Sequence, residues 1–196
     1  MITINQATID LIKRWEGFKA SAYRCPAGKW TIGYGITASA GIGVDPKPGM
    51  RVTEAEAEAH LRKALEKFAG QIRPAIAYPI NENEFGAFLS LTYNIGPGGF
   101  RGSSALRHFN AGDKERAAAA IKLWNKATVN GKRQVLRGLV NRRADEVRLF
   151  QSPVASQPLP TKPGAVHEPV QSDTQAPGWL SALIAAVVRL LKGGRG

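Results

Sequence analysis

The sequence predicts an α+β fold that is mostly helical, with one small β-hairpin near the N-terminus. Apolar residues recur at helical spacings in several segments, and two segments open with capping signatures, Thr53 with Glu56 and Asn81 with Glu84. Between residues 17 and 37 this pattern gives way to short strand-like runs separated by turn residues. A chain of 196 residues can hold one domain with a substantial core and an appendage.

The first predicted helix covers residues 6–15, with Asn5 as its N-cap, and Glu16 follows its last turn. The C-terminal end of a helix carries partial negative charge, which disfavours an ionised carboxylate. If Trp15 and Phe18 also shield the carboxyl from water, the pKa of Glu16 rises, as a proton donor near neutral pH requires. The alternative is that Glu16 only ends a helix at the surface.

Residues 22–25 and 30–34 predict two strands, and the Pro-Ala-Gly-Lys between them predicts the turn of a hairpin. We expect the inner face of this hairpin to return toward Glu16. Gly33 and Gly35 leave the second strand uncovered, which is typical of a place where a ligand approaches the backbone closely. The alternative is that both glycines only bend the strand.

The rest of the body is predicted to be helical. Residues 38–51 are rich in turn formers and predict a loop or a short third strand. Gly70 is predicted to end the helix that begins after Thr53, and the helix after Asn81 is expected to run through the centre of the helical part. The predicted helices cover residues 54–68, 85–95, 104–109, 114–124, 134–140 and 141–150.

A helix, then Trp-Glu-Gly-Phe at residues 15–18, then Trp-Thr-Ile-Gly-Tyr-Gly at residues 30–35 resembles the catalytic segment of the bacteriophage lysozymes, the endolysins of glycoside hydrolase family 24. The resemblance covers about residues 5–151. It implies a lysozyme-like fold with a hairpin lobe, a helical lobe and a cleft for a polymer. It further implies a muramidase without a cofactor, which cuts the β-1,4 bond between N-acetylmuramic acid and N-acetylglucosamine in peptidoglycan.

The resemblance also implies the catalytic residues. In that family the acid is followed nine positions later by a residue that is commonly Asp, and fifteen positions later by a Thr that holds the attacking water. These positions are Glu16, Cys25 and Thr31 here. Cys25 departs from the Asp form, although some of these enzymes carry Cys in the same Cys-Pro-Ala-Gly context, and Ile36 stands where many relatives have His. The Cys25 thiol could position water, act as a thiolate or fill space.

Substrate contacts are implied for five further residues by the same resemblance: Thr37, Tyr93, Asn94, Phe100 and Ser103. Helix capping and hydrogen bonding within turns are the alternative for Tyr93, Asn94 and Ser103.

Arg142 and Arg143 belong to a stretch that resembles the C-terminal signature of the family. Their guanidiniums could bind muramyl carboxylates, but pairing with Asp145 or Glu146, or exposure to solvent, is the more common arrangement.

The formal net charge is +12, and residues 1–151 hold 23 cationic against 13 acidic residues, a net +10. A body this basic predicts a polyanionic partner, which charge alone leaves open among nucleic acid, anionic lipid and cell wall; a basic protein without such a partner is the alternative. The wall resemblance favours peptidoglycan over specific nucleic-acid binding. One cysteine excludes an internal disulfide, and the scattered His60, His108 and His167 predict no metal site.

The chain is expected to end in two non-enzymatic segments. Residues 152–177 are rich in Pro, Ser and Gln and predict a linker. Residues 178–196 predict a cationic amphipathic helix that is too short to span a bilayer but suits an anionic membrane or lipopolysaccharide surface. Its predicted contact residues are Trp179, Leu183, Arg189 and Lys192. Docking of this helix on the enzyme or on a partner is the alternative.

The N-terminus lacks the charged start and apolar run of a signal peptide. We therefore expect a monomer made in the host cytoplasm that acts at the cell wall or periplasm after release. Two other classes stay open. One is a wall-binding module without catalysis, and the other is a membrane-disrupting protein whose tail is the effector.

Overall fold

The computed structural model describes residues 2–129 and 131–154, and it confirms the predicted α+β fold. Helices dominate, and the strands form a three-stranded sheet and a separate two-stranded hairpin. The helices are α1 (Gln6–Glu16), α2 (Glu54–Ile72), α3 (Glu82–Arg101), α4 (Ser104–Asn110), α5 (Lys114–Lys122) and α6 (Arg137–Gln151), and short 3₁₀ turns cover Ala38–Ala40 and Arg73–Ala75. The strands are β1 (Lys19–Arg24), β2 (Trp30–Gly33), β3 (Ile36–Thr37), β4 (Lys126–Val129) and β5 (Lys132–Val135).

The N-terminal sheet has the antiparallel order β1-β2-β3, with Thr31 of β2 opposite Tyr23 of β1 and Thr37 of β3. The third strand therefore forms at residues 36–37, before the segment in which it was expected. Within that segment the backbone returns to β1 at its end, where Arg51 bridges Ser21 and the Met50 carbonyl accepts the Ala22 N–H. Between β3 and α2 the chain forms a loop over residues 38–53 and adds no further strand to the sheet.

Helix α2 opens with the predicted capping box of Thr53 and Glu56, but it runs past Gly70 to Ile72. The prediction that Gly70 ends the helix is wrong. Ala69 and Ile72 are fully buried, so the helix continues its apolar stripe through the glycine. Burying such a stripe outweighs the cost of about 1 kcal/mol for a glycine inside a helix.

Helix α3 lies at the centre of the helical part and packs against α1, α2, α4 and α6. Its capping box of Asn81 and Glu84 forms as predicted, and Gly96, with a φ of +81°, kinks it before Pro97. On one side, α3 contributes to an aromatic cluster with ring centroids 5.0–6.0 Å apart, formed by Phe88, Phe100, Phe109 and Phe150. This cluster ties α3 to α4 and α6.

The prediction of two closing helices, at residues 134–140 and 141–150, is wrong. Residues 132–135 instead pair with residues 126–129 as β5 and β4, and a single helix, α6, begins at Arg137. Helix α5 also ends at Lys122, two residues before its predicted end, where the chain turns toward β4. The hairpin pairs residues that lack a strong helical stripe, which is why the sequence pattern missed it.

No helix within residues 2–129 and 131–154 is long and apolar enough to cross a membrane. Residues 155–177 of the predicted linker and the whole predicted tail, including Trp179, Leu183, Arg189 and Lys192, lie outside the described residues.

Candidate functional site

Glu16 is the last residue of α1, and Gly17, with a φ of +68°, turns the chain away toward β1. Only 3% of Glu16 is exposed to solvent. Its Oε2 lies against the turn between β2 and β3, since a Cβ built on Gly35 would stand 3.4 Å from this oxygen. Glu16 therefore does not end a helix at the surface, and its carboxyl lies where α1 meets the sheet.

Arg142 of α6 reaches this carboxyl from the helical side. Its Nη1 lies 2.8 Å from Glu16 Oε1, its Nε 3.2 Å from Glu146 Oε1, and its Nη2 donates to the Ser90 carbonyl. Arg143 Nη1 lies 2.8 Å from Glu146 Oε2. The side chains of these two arginines and two glutamates are at most 1% exposed, so four ionisable groups share one solvent-excluded cluster.

Loss of hydration raises the pKa of Glu16, and the charge of Arg142 opposes this rise without cancelling it. Arg142 divides its charge between two carboxylates, so it cannot fully replace the water that Glu16 has lost. For Arg142, burial lowers the pKa, but Glu16 and Glu146 more than compensate and the net shift is upward. Burial lowers the pKa of Arg143 to about 10. Both arginines thus stay charged at neutral pH, and Glu16 is the group poised to hold a proton.

Tyr93 of α3 lies at the same place. Its hydroxyl donates to the Tyr34 carbonyl at 2.9 Å, and a Cβ added to Gly35 would stand 3.9 Å from the Tyr93 Oη. Burial, and next the charge of Glu16, raise the pKa of Tyr93, so the phenol stays neutral. Among the predicted substrate contacts, Tyr93 thus lies beside Gly35 together with the Glu16 carboxyl.

Cys25 and Thr31 are linked through one carbonyl. Lys29 O accepts the Cys25 backbone N–H at 2.9 Å and the Thr31 hydroxyl at 3.1 Å. The Arg24 guanidinium is engaged away from the Cys25 thiol, because it donates to Gly28 O and stacks on Trp30. The Cys25 side chain is buried. The turn of the β1–β2 hairpin therefore holds both predicted residues in fixed positions.

Thr37 lies opposite Thr31 on β3, half-buried, and its hydroxyl shares a hydrogen bond of 2.8 Å with Ser39. Substrate contact by Thr37 stays a prediction.

The two strand glycines make room for the protein's own atoms. A Cβ on Gly33 would stand 2.9 Å from the Ala57 Cβ of α2, and one on Gly35 would face Glu16. The expectation of a ligand against Gly33 is therefore wrong, because α2 occupies that space.

Three other predicted substrate residues are engaged within the fold. The Phe100 ring is 0% exposed and packs on Phe88, so it lies in the core and does not line a groove. The Ser103 hydroxyl caps α4 by accepting from the Leu106 N–H at 3.2 Å. Asn94 is buried, and its Oδ1 accepts from Arg143. For Ser103 and Asn94 the structure shows internal hydrogen bonding, and for Phe100 it shows core packing.

The sequence did not predict the contact between Arg142 and Glu16. Pairing with Glu146 was among the predicted alternatives for the arginines and is confirmed. In the described ranges, no group of His, Cys, Asp and Glu side chains could hold a metal ion.

The fold and the site together define the class: an α+β protein in which a buried acid lies between a small N-terminal sheet and a helical lobe. The model of the phage lysozyme family matches residues 13–146. The chain belongs to the phage lysozyme family, and it is a lysozyme-type hydrolase.

Three similar proteins show how far the likeness extends. An endolysin of Acyrthosiphon pisum secondary endosymbiont phage 1 is 40% identical, over 76% of this chain and 98% of the relative. An endolysin of Bacillus phage PZA is 42% identical over 76% of this chain, which spans only 55% of that relative. The solved muramidase domain of SpmX from Asticaccaulis excentricus is 37% identical, covers 78% of this chain and 100% of its own, and has a TM-score of 0.72.

Proposed function

We propose that this endolysin is an N-acetylmuramidase of glycoside hydrolase family 24, which hydrolyses the β-1,4 bond between N-acetylmuramic acid and N-acetylglucosamine in bacterial peptidoglycan. The observation that carries the proposal is the Glu16 carboxyl, buried between α1, the β2–β3 turn and Arg142. Endolysin relatives and the muramidase neighbour support a wall-degrading lysozyme. Host lysis is the expected outcome.

In this mechanism Glu16 is the general acid. It gives its proton to the leaving glycosidic oxygen while positive charge develops on the sugar ring. The raised pKa keeps a useful fraction of Glu16 protonated above the ordinary range of a glutamic acid. Arg142 keeps the carboxyl in place and limits the rise of its pKa.

Thr31 is proposed to orient the attacking water. Its hydroxyl donates its own proton to Lys29 O, so its oxygen is left as an acceptor for a water O–H. A water held in this way turns a lone pair toward the anomeric carbon. The hydroxyl of this water becomes the new sugar hydroxyl. Over one cycle, the remaining proton of the water replaces the proton that Glu16 gave up.

Cys25 is proposed to shape the turn of this site. Because Arg24 is engaged by Gly28 O and Trp30, its guanidinium does not pair with a thiolate. The Cys25 backbone shares Lys29 O with Thr31, which suits a role in shaping the turn and the water position. Substrate contacts are proposed for Tyr93 and Thr37, which flank the turn at Gly35.

We further propose that the protein is made in the host cytoplasm and acts on the wall after release, as a monomer. One chain supplies Glu16, Arg142 and Thr31, which supports the monomer. The predicted tail is proposed to contact an anionic membrane or lipopolysaccharide. Loss of activity on intact cells, but not on purified wall, after deletion of residues 178–196 would support that role; equal loss on both would count against it.

Mass spectrometry of digested, purified peptidoglycan tests the bond specificity. We expect fragments that end in a reducing N-acetylmuramic acid. Reducing N-acetylglucosamine ends, or anhydro ends, would contradict the muramidase assignment. Sedimentation with the wall without release of any fragment would instead show a binding module.

A further inference from the structure

The β4–β5 hairpin and the chain on either side of it carry positive charge without acidic residues. From residue 116 to residue 144 the sequence contains no Asp or Glu. Besides Arg116, which pairs with Asp113, five cations in this stretch are exposed: Lys122, Lys126, Lys132, Arg133 and Arg137. None of the five forms an ion pair with any residue in the ranges that the structure describes. Elsewhere, by contrast, Lys13 pairs with Glu54 and Glu58.

Strand pairing shows which side of the hairpin faces outward. Lys126 lies opposite Val135, and Thr128 lies opposite Arg133, so these four side chains share one face. All four are exposed. On the other face Ala127 is only 4% exposed and turns toward the body of the protein, whereas Gln134 opposite it and Lys132 near the turn are exposed. The outward face therefore presents a lysine, an arginine and a valine to solvent.

Apolar side chains are exposed among these cations. Leu123 is 69% exposed, Val135 54% and Val140 41%. They lie around the hydrogen bond from Leu136 N to Asn125 O, because Leu123 and Val135 are within two residues of it and Val140 is one helical turn beyond. We call these three apolar residues and four of the cations, Lys122, Lys126, Arg133 and Arg137, the hairpin surface; Lys132 lies on the opposite face of the hairpin.

We propose that the hairpin surface binds the interface of an anionic lipid bilayer. Anionic headgroups attract lysine and arginine near a membrane, each by about fivefold in partitioning. Exposed aliphatic side chains gain from insertion at the boundary of headgroup and acyl chains. A wall glycan offers carboxylates to the cations but no comparable apolar layer for Leu123, Val135 and Val140, so lipid fits both features.

Binding through this surface would also set the position of the catalytic acid relative to the bilayer. Helix α6 begins at Arg137 in the hairpin surface and carries Arg142, which contacts Glu16, about 7.5 Å further along its axis. Binding through the hairpin would therefore hold the acid close to the bilayer surface. The inference goes beyond the proposed hydrolysis and needs only the described domain, whatever residues 178–196 do.

Vesicle sedimentation of the full-length protein tests the proposal. The vesicles contain phosphatidylglycerol mixed with phosphatidylcholine, or phosphatidylcholine alone. The hairpin variant carries Lys126→Gln, Arg133→Gln and Arg137→Gln. The matched control carries Lys63→Gln, Arg101→Gln and Arg107→Gln, which removes the same charge from other exposed positions.

We expect the parent protein to bind the anionic vesicles and the hairpin variant to lose on the order of 100-fold in partitioning, from about fivefold for each cation. The control is expected to lose less than about fivefold. Equal losses would show a general charge effect, and no loss in the hairpin variant would show that binding lies elsewhere. Either result would overturn the proposal.

A second variant tests the apolar part. Leu123→Ser with Val135→Ser keeps every charge, and at high salt, where charge attraction is screened, it should bind less than the parent. Unchanged binding would refute insertion. If the hairpin variant lost binding to purified wall while keeping its binding to vesicles, the surface would be a wall contact and the lipid proposal would fail. Thermal unfolding and hydrolysis of purified wall, both expected at parental values, show that the variants are folded.

Discussion

Replacing Arg142 by methionine removes the guanidinium that lies 2.8 Å from Glu16 Oε1. A neighbouring opposite charge lowers the pKa of a carboxyl by about 1–3 units, so its loss should raise the pKa of Glu16 by that amount. The alkaline limb of kcat/KM on purified peptidoglycan is then expected to move to higher pH by about 1–3 units. Lysis rates measured across a pH series give this limb directly.

The same change should destabilise the fold. Removing one partner of a buried ion pair costs about 3–5 kcal/mol, and Glu146 would keep only Arg143 as an ion-pair partner, beside the Ser90 hydroxyl. The folded pKa of Glu16 is raised, so its contribution to stability is fully present below the ordinary pKa of glutamate and is lost as the pH rises through the raised value. In Arg142→Met this loss should extend to higher pH.

Denaturant unfolding at several pH values measures both effects. Arg148→Met is the control, because Arg148 is an exposed arginine of the same helix, and it should change neither the limb nor the stability by much. A folded Arg142→Met whose alkaline limb coincides with that of the parent would refute the coupling between Arg142 and Glu16. Arg142→Lys, which keeps the charge, should shift the limb less than the methionine variant.

Three further predictions concern the turn, the thiol and the core. Gly35→Ala should lower the free energy of unfolding by about 1–2 kcal/mol, because of the φ of +87° at this position, and should also lower activity by crowding Glu16. Gly43→Ala, with a φ of +83° and open space around it, should lower stability alone. Equal activities of the two variants in lysis assays would contradict this. Cys25→Ala should keep hydrolysis within about tenfold, since acid–base groups are worth about 100-fold or more, and a larger loss at unchanged Tm would show that the thiol is required. Phe88→Ala should lower the free energy of unfolding by about 3–5 kcal/mol, and a loss below about 1 kcal/mol would mean that the aromatic cluster adapts.

Local patterns predicted the parts of the fold that local chemistry decides. Asn5, the two capping boxes and the turn after Cys25 all rest on contacts within a few residues, and each forms as expected. The end of α2 was missed because the burial of Ile72 against distant residues overrides the glycine. The β4–β5 hairpin was missed for a related reason, since its strands are defined by pairing with each other and their sequence has no helical or strongly alternating apolar pattern.

The sequence predicted the acid of the site but not the arginine that contacts it. Glu16 stood out by its position after a helix, and its burial follows from elements that the sequence could place near it. Arg142 could be paired with Glu146 by their spacing of four, but its contact with Glu16, 126 residues away, depends on how α6 packs beside α1 and α3. Phe100 and Ser103 show that a matched motif does not fix the role of its side chains. Phe100 packs in the core, and Ser103 caps a helix.

The most direct test of the account is the rate at which Glu16→Gln releases reducing ends from purified peptidoglycan. The matched control is Glu66→Gln, which changes an exposed glutamate of α2 in the same way. We expect a loss of about 100- to 10,000-fold for Glu16→Gln, with the fold intact, and parental activity for Glu66→Gln. A Glu16→Gln rate within a few-fold of the parent would contradict the assignment of Glu16 as the general acid.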